Sequence, residues 1–485
     1  MRKRFEQQMK IGVKPISGTL IPTKSRDAVP ALLAAMKEIF IHPEHNEKVF
    51  SILEDKILKG KKQTGRPGMD LWQIFVLAQF RLGLDISYDR LHGYANYHSL
   101  LRQILGIETM SGFDQIEIGY QNIVDNVSLL NDSTLMELNQ VIVDFGHGVF
   151  KKKNMEALRL KTDSFVVGSC VHFPTDYNIL WDCARKCLDI VGKFLKKYPD
   201  TPSWRKLDDW YCATKGLMRE VGRASSGGGK NKITRQKKTA KKYLNKATSL
   251  EAKLNSSKAS FPCNDTIDLA LLISLNHFMD LMNKHVGLVE RRLIKGETIP
   301  HEEKMFSIFE DYTEWITKGK LRPNVELGKK LAITTDHFGL IVDYQIMDHV
   351  SDSEIVIPLA DRLLNRYKVE SWSFDKGFWH QDNKALLSLE VEKVIMPKKG
   401  KCNMSEKEAE SSRSFKQLKN KHSAVESNIN ELEHSGLDRC PDRGYNNFKR
   451  YIGVGVIAYN LKRIGKQLLK YQREEEKEAT IRLCA

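Results

Sequence analysis

The stretch Leu160-Lys161-Thr162-Asp163-Ser164-Phe165-Val166-Val167, led in by Leu158, decides the fold. Leu158, Leu160, Phe165, Val166 and Val167, with β-branched Thr162, read as a buried strand. An ionised carboxylate inside such a strand costs several kcal/mol unless it is paired or metal-bound. Asp163 therefore stands out from the 61 acidic residues of the chain.

More strands follow downstream. Leu331 to Thr335, the polar turn Asp336-His337-Phe338-Gly339 and Leu340 to Tyr344 read as a hairpin. Short strands are expected around Glu370 to Phe374 and Val391 to Met396. Helical patterns separate them at Ile355 to Tyr367 and Asp382 to Ser388. Alternating strands and helices over 323–465 predict one α/β core.

Two further carboxylates sit at comparable places. Asp375 ends the strand Ser371-Trp372-Ser373-Phe374 just before Lys376-Gly377. Glu426 borders the helical stripe of Val425, Ile429 and Leu432, a helix that Gly436 can close. Two strand carboxylates and one helix carboxylate suit two hard cations such as Mg²⁺, with Mn²⁺ as a substitute. A pair of such ions activates an attacking oxygen and stabilises the leaving oxygen of a phosphodiester, with no protein nucleophile. Neither G-x-S-x-G nor H-E-x-x-H competes. Taken singly, Asp163 also reads as a strand-edge residue, Asp375 as a turn former and Glu426 as a solvated partner of His422. Asp176 and Asp336 are the substitutes for a misassigned member. His172 reads as a packed or hydrogen-bonded residue.

Upstream, residues 1–150 read as helical. Asp70 is an expected N-cap, Gly83 an expected end, and Ser87 the cap of the next helix, an outline shared by helix-turn-helix modules and other small helical domains. Lys61-Lys62-Gln63-Thr64-Gly65-Arg66-Pro67-Gly68 either breaks the chain or lies in an A·T-rich minor groove with Arg66 at the floor. Residues 176–322 interrupt the core, with helical patterns at Leu269 to Met282 and Met305 to Ile316. Their centre, Arg223 to Lys242, holds eight basic residues and no acidic one. It reads as a solvated basic loop, with Lys237, Lys238, Lys241 and Lys242 as phosphate contacts. A phosphate-binding loop is excluded, because Ala224 and Asn231 stand where Gly and Ser or Thr are required.

The whole chain has 485 residues and a net charge of +16, which points to a polyanionic partner. At 41% hydrophobic residues it can bury a sizeable core. No apolar run reaches membrane-spanning length, and Glu6, Gln7 and Gln8 stand where a signal peptide would be apolar. A cytoplasmic, nucleoid-associated protein is expected. Eight Cys without a C-x-x-C pair suggest reduced, mostly buried thiols.

Three blocks resemble bacterial insertion-sequence transposases of the DDE type: Lys161 to Val167 with Val171-His172-Phe173-Pro174-Thr175-Asp176; Phe374-Asp375-Lys376-Gly377-Phe378; and His422 to Ser427 with Gly436-Leu437-Asp438-Arg439-Cys440-Pro441. Ile457-Ala458-Tyr459-Asn460-Leu461 is similar to how such cores end, and residues 69–107 resemble their N-terminal domain. The resemblance implies an α/β fold with an RNase H-like mixed-sheet catalytic core over 151–175 and 323–470. An N-terminal helical DNA-binding domain (1–150), a mostly helical basic insertion (176–322) and a charged tail (471–485) complete it. It implies Asp163, Asp375 and Glu426 as the catalytic, metal-holding triad. The first two are 212 residues apart and the last two 51. His422 and Glu433 replace the Arg and Lys that one common pattern places around the glutamate. Lys416, Lys419 and Lys421 are the expected substitutes as DNA contacts. The implied partners are double-stranded DNA, both terminal inverted repeats and target, and a second copy of the chain; no membrane is implied. The implied reaction is strand cleavage followed by strand transfer. An inactive or domesticated DNA-binding protein and a nuclease that does not join are the alternatives.

Overall fold

The N-terminal helices form where apolar stripes follow side-chain caps. Asp27 accepts from the backbone N–H of Val29 to start α1 (Ala28–Ile41), and Pro43 opens α2 (Pro43–Ile57). Asp70 and Gln73 make a capping box at the head of α3 (Leu71–Gly83), and the Ser87 hydroxyl accepts from Arg90 N–H at the head of α4 (Tyr88–Tyr97). The caps expected at Asp70 and Ser87 are thus present. Then come α5 (Ser99–Ile104), α6 (Tyr120–Val127) and α7 (Asp132–Val149). The computed structural model describes residues 2–5, 13–61, 68–107, 116–199, 204, 206–317 and 325–484. Arg66 lies outside the described residues.

The chain divides into two compact units, Met1–Cys170 with Ile316–Ala485, and Val171–Trp315. The larger unit holds a mixed sheet. β1 (Leu158–Gly168) runs antiparallel to β3 (Val325–Thr335) and parallel to β5 (Val369–Phe374), with β6 (Lys393–Ile395) parallel beyond β5. β4 (Ile341–Met347) and the short β2 (Glu314–Thr317) both pair with β3, giving six strands. The α/β fold with an RNase H-like core and helical regions is present as expected. Leu158 and Leu160 of β1 join Trp372 and Phe374 of β5 in one apolar cluster, covered by α12 (Val356–Leu364) and α13 (Gln381–Glu390). Beyond α14 (Met404–Ser411), α15 (Arg413–Leu432) packs on β1, β5 and β6. α15 runs into a π turn at Glu433–Leu437, where Gly436 takes φ +98°, a left-handed value that favours glycine.

The last helix, α16 (Tyr445–Cys484), packs along α1, α3 and α7, so the N-terminal helices belong to the same unit as the sheet. The approach to α1 is close: a Cβ on Gly465 would lie 1.7 Å from the carbonyl oxygen of Ala31. Fully buried Asn460 accepts from Ile341 N–H and donates to Asn139 of α7, tying helices to the sheet edge. The expected charged tail after 470 is helical through Cys484.

The smaller unit contains α8 (Asp176–Lys197), α9 (Leu207–Ser226), α10 (Lys232–Lys258) and α11 (Thr266–Val289). Buried Leu180, Cys183, Cys187, Phe194 and Tyr243 share its core, and burial pushes the Cys187 thiol up to about 12. Two expectations fail here. The basic segment is not one loop: only the glycine-centred turn at 227–231 interrupts α9 and α10, because Lys, Gln and Ala around it are strong helix formers. Lys237, Lys238, Lys241 and Lys242 are exposed on α10, opposite buried Ala240, Tyr243 and Ala247. Nor is Met305 to Ile316 helical. The Ser307 hydroxyl takes the N–H groups of Phe309 and Glu310, turning the chain before β2.

Candidate active site

The site follows from strand register. Thr162 of β1 is the Cα partner of Phe374 of β5, so Asp163 and Asp375 each come one residue later on neighbouring parallel strands. β5 ends at Phe374 while β1 continues to Gly168, so a gap in the sheet opens beside Asp163. Along β1, Arg159, Lys161 and Asp163 share the face opposite Leu158 and Leu160, because side chains alternate. Ser371 and Ser373 share that face on β5.

α15 is placed over this face by a buried polar contact. His422 Nδ1 lies 3.0 Å from the Ser373 hydroxyl. Burial pulls the His422 pKa down to about 4, against the opposing pull of Asp375, so the ring is neutral at pH 7. Glu426 follows His422 by one helical turn, exposed beside buried Val425 and Ile429. His422 thus has a positioning place where the common pattern has an arginine.

Asp163 carries the largest electrostatic load. Burial raises its pKa to about 7, and the charges of Asp375, Glu426 and Asp352 push the same way; the N–H of Ser164 on its Oδ1 at 2.7 Å opposes them. Asp375 and Glu426 are therefore close enough for their charges to reach Asp163. The fourth, Asp352, was not legible in the sequence. It sits in the polar run between β4 and α12, where an Asp before a helix reads as ordinary turn chemistry. Its Oδ1 accepts from the Ser164 hydroxyl at 2.7 Å, and its Oδ2 pairs with Lys330 at 3.0 Å. A Cβ on Gly377 would meet the same Oδ2 at 3.0 Å, so the loop carrying Asp375 rests against it.

The substitutes do other work. Asp336 is buried, accepts from Leu340 N–H and lies 2.7 Å from His147 Nε2, closing the β3–β4 turn. Asp176 pairs with Arg292 at 2.8 Å inside the smaller unit, where His172 lies 3.5 Å from Asp182. Lys416, Lys419 and Lys421 are exposed on α15.

Carboxylate oxygens are the donor type a hard divalent ion takes, and the acidic neighbours of Asp163 give such an ion a reason to bind there. The side chains of Asp163, Asp375 and Glu426 are not drawn together around a single point; among the described residues, that arrangement is found at Glu314, Asp348 and His349. The fold and the carboxylates around Asp163 define an RNase H-like domain with a carboxylate centre at an open sheet end. Residues 293–461 match the family model described as transposase DDE domain, so this stretch is similar to the catalytic domain of DDE-type transposases. The match contains Asp375 and Glu426, while Asp163 lies upstream of it. No curated protein and no solved structure matches the chain.

Proposed function

We propose that the protein is a transposase that binds the terminal inverted repeats of its own element, cleaves a phosphodiester there and joins the freed 3′-hydroxyl to target DNA. The observation that carries this reading is the convergence of Asp163, Asp375 and Glu426 on one sheet end, with Asp163 raised to about 7 by burial and acidic neighbours. In this reading the three carboxylates hold two Mg²⁺ ions, or Mn²⁺ in their place. Such ions, when bound, activate the attacking oxygen and stabilise the leaving oxygen. Neutral His422, hydrogen-bonded to Ser373, fixes the rotation of α15 and so the direction of Glu426. Asp352 ties Ser164 to Lys330 and steadies the strand beneath Asp163.

DNA binding is assigned to cationic surfaces. The α10 stripe of Lys237, Lys238, Lys241 and Lys242 and the α15 lysines are suited to phosphate contacts, which position DNA without reading its sequence. Arg90, Tyr94, Tyr97 and His98 of the α4 region surround a shallow cavity of about 400 Å³ and supply basic and aromatic groups for base recognition. Two copies acting on two element ends, on nucleoid DNA, complete the proposal.

The test uses the purified chain, Mg²⁺ and a plasmid bearing both element ends, whose sequence comes from the DNA flanking the gene. Cleavage with new 3′-hydroxyls and joined products is expected. Cleavage without joining makes the protein a nuclease, and specific binding without either makes it an inactive DNA-binding protein.

A further inference from the structure

Beside the carboxylates lies a cavity of about 200 Å³ whose lining includes Arg159, Lys161 and Lys421, with Ser371, Ser373 and His337. Its floor is set by register: Arg159 pairs with Ser371 and Lys161 with Ser373 on the adjacent parallel strands. Lys421 comes from α15, directly before His422. Among the described residues, the side chains of Arg159, Lys161 and Lys421 have no ion-pair partner. The acidic groups nearby are engaged: Glu156 lies 3.3 Å from His337 Nε2, and Asp336 faces His147. Like charges gathered in a partly enclosed space are stable together when an anion joins them.

We propose that this cavity receives one backbone phosphate of the DNA strand being cut, next along the chain from the phosphate held at the carboxylates. The placement argues for this occupant. Lys161 and Asp163 are two residues apart on one face of β1, roughly 7 Å along the strand at about 3.3 Å per residue. A cationic pocket and an acidic centre thus lie side by side in one groove under α15. The acidic centre repels phosphate unless cations are bound; the pocket attracts it unconditionally, so a strand entering the groove is held in register before chemistry. The Ser371 hydroxyl adds a neutral donor for a phosphate oxygen, while Ser373 is held by His422. The inference deepens the transposase reading and rests on it for the identity of the strand.

The experiment uses the full chain, as wild type and as Lys161→Gln, Lys421→Gln and Arg159→Gln, with folding checked by circular dichroism. Binding to a random-sequence duplex is measured over a salt series. Each variant that loses the contact lowers the log–log salt slope by about 0.9. In parallel, single phosphates of the cleaved strand are replaced by neutral methylphosphonate. One position, adjacent to the cut, should weaken wild-type binding about tenfold and have no further effect in Lys421→Gln. Equal salt slopes in all four proteins, or a methylphosphonate profile that the variants leave unchanged, would overturn the pocket. Lowered slopes in a chain that never cuts DNA would keep the pocket and remove the transposase reading; cutting with unchanged slopes would do the reverse.

Discussion

Replacing Asp163 by Asn should stabilise the metal-free protein at alkaline pH. In the folded chain the Asp163 carboxyl holds its proton up to about 7, chiefly because burial penalises the charged form and Asp375, Glu426 and Asp352 add repulsion. In the unfolded chain it releases the proton near the ordinary value of 3.8. Below that value both states are protonated and the group contributes nothing. Between 3.8 and 7 the unfolded state ionises first, so wild-type stability falls as pH rises, and above 7 the penalty is complete. The gap corresponds to about 4 kcal/mol as a ceiling, at 1.36 kcal/mol per pH unit. Partial solvent access reduces this to about 1–2 kcal/mol. Asn keeps the side-chain size and the oxygen that accepts from Ser164, and removes the charge. Thermal unfolding with a chelator present should show the variant about 2–8 °C more stable than wild type at pH 8, at about 2–4 °C per kcal/mol. The two should differ little from ionisation at pH 4. Adding Mg²⁺ should raise the wild type at pH 8 and leave the variant nearly unmoved, since an ion favours the ionised carboxylate. A variant no more stable than wild type at pH 8, or an offset independent of pH, would refute the electrostatic account of the site.

Other outcomes follow from the same geometry. Asp375→Asn and Glu426→Gln should each abolish cleavage and joining while leaving DNA affinity within about twofold, and the double variant should be no worse than either alone, as a plasmid assay with a binding assay will show. Asp352→Asn should cut cleavage about tenfold and raise the Mg²⁺ concentration needed for half-maximal rate, because Ser164 and Lys330 lose a shared anion; an unchanged Mg²⁺ titration would limit Asp352 to folding. Replacing Lys237, Lys238, Lys241 and Lys242 together by Gln should lower the salt slope for DNA by up to about 3.6, with no change in a salt series excluding α10 from the interface. Gly465→Ala should destabilise the larger unit by more than about 2 kcal/mol in chemical unfolding. Helix propensity alone favours Ala by about 1 kcal/mol, but the new methyl would sit 1.7 Å from the Ala31 oxygen, so α1 and α16 must part.

The readable parts of this chain are those where a local pattern and the tertiary fold want the same thing. The β3–β4 hairpin, the strands at 369–374 and 393–395 and the caps at Asp70 and Ser87 are of this kind. The errors lie where composition was taken for conformation. Arg223 to Lys242 reads as loop by charge, yet from Ala240 onward each turn of α10 carries an apolar residue, Ala240, Tyr243, Leu244 and Ala247 among them, that a core can use. Met305 to Ile316 has helical spacing, but a single hydroxyl at Ser307 captures the N–H groups a helix would need elsewhere.

The site divides the same way, and the division has a physical reason. Asp163, Asp375 and Glu426 are conspicuous because each interrupts or borders an apolar pattern; a charge there is costly and must be used. Asp352 interrupts nothing, being polar among Ser351 and Ser353 in a loop, so no local cost marks it. Its importance arises only from three contacts made far along the chain: Ser164, Lys330 and the Gly377 loop. The cationic cavity is hidden for a related reason. Arg159 and Lys161 alternate with Leu158 and Leu160 as any half-exposed strand would, and their charge has meaning only when β5 and α15 enclose it. Register is what converts this alternation into chemistry. A slip of one residue between β1 and β5 would turn Asp163 toward the core and Thr162 toward α15. The Thr162 hydroxyl, held 2.8 Å from Trp372 Nε1 and 2.8 Å from the Thr334 hydroxyl in the buried layer, makes that slip costly. A buried threonine therefore fixes which face of β1 turns Asp163 and Lys161 toward α15.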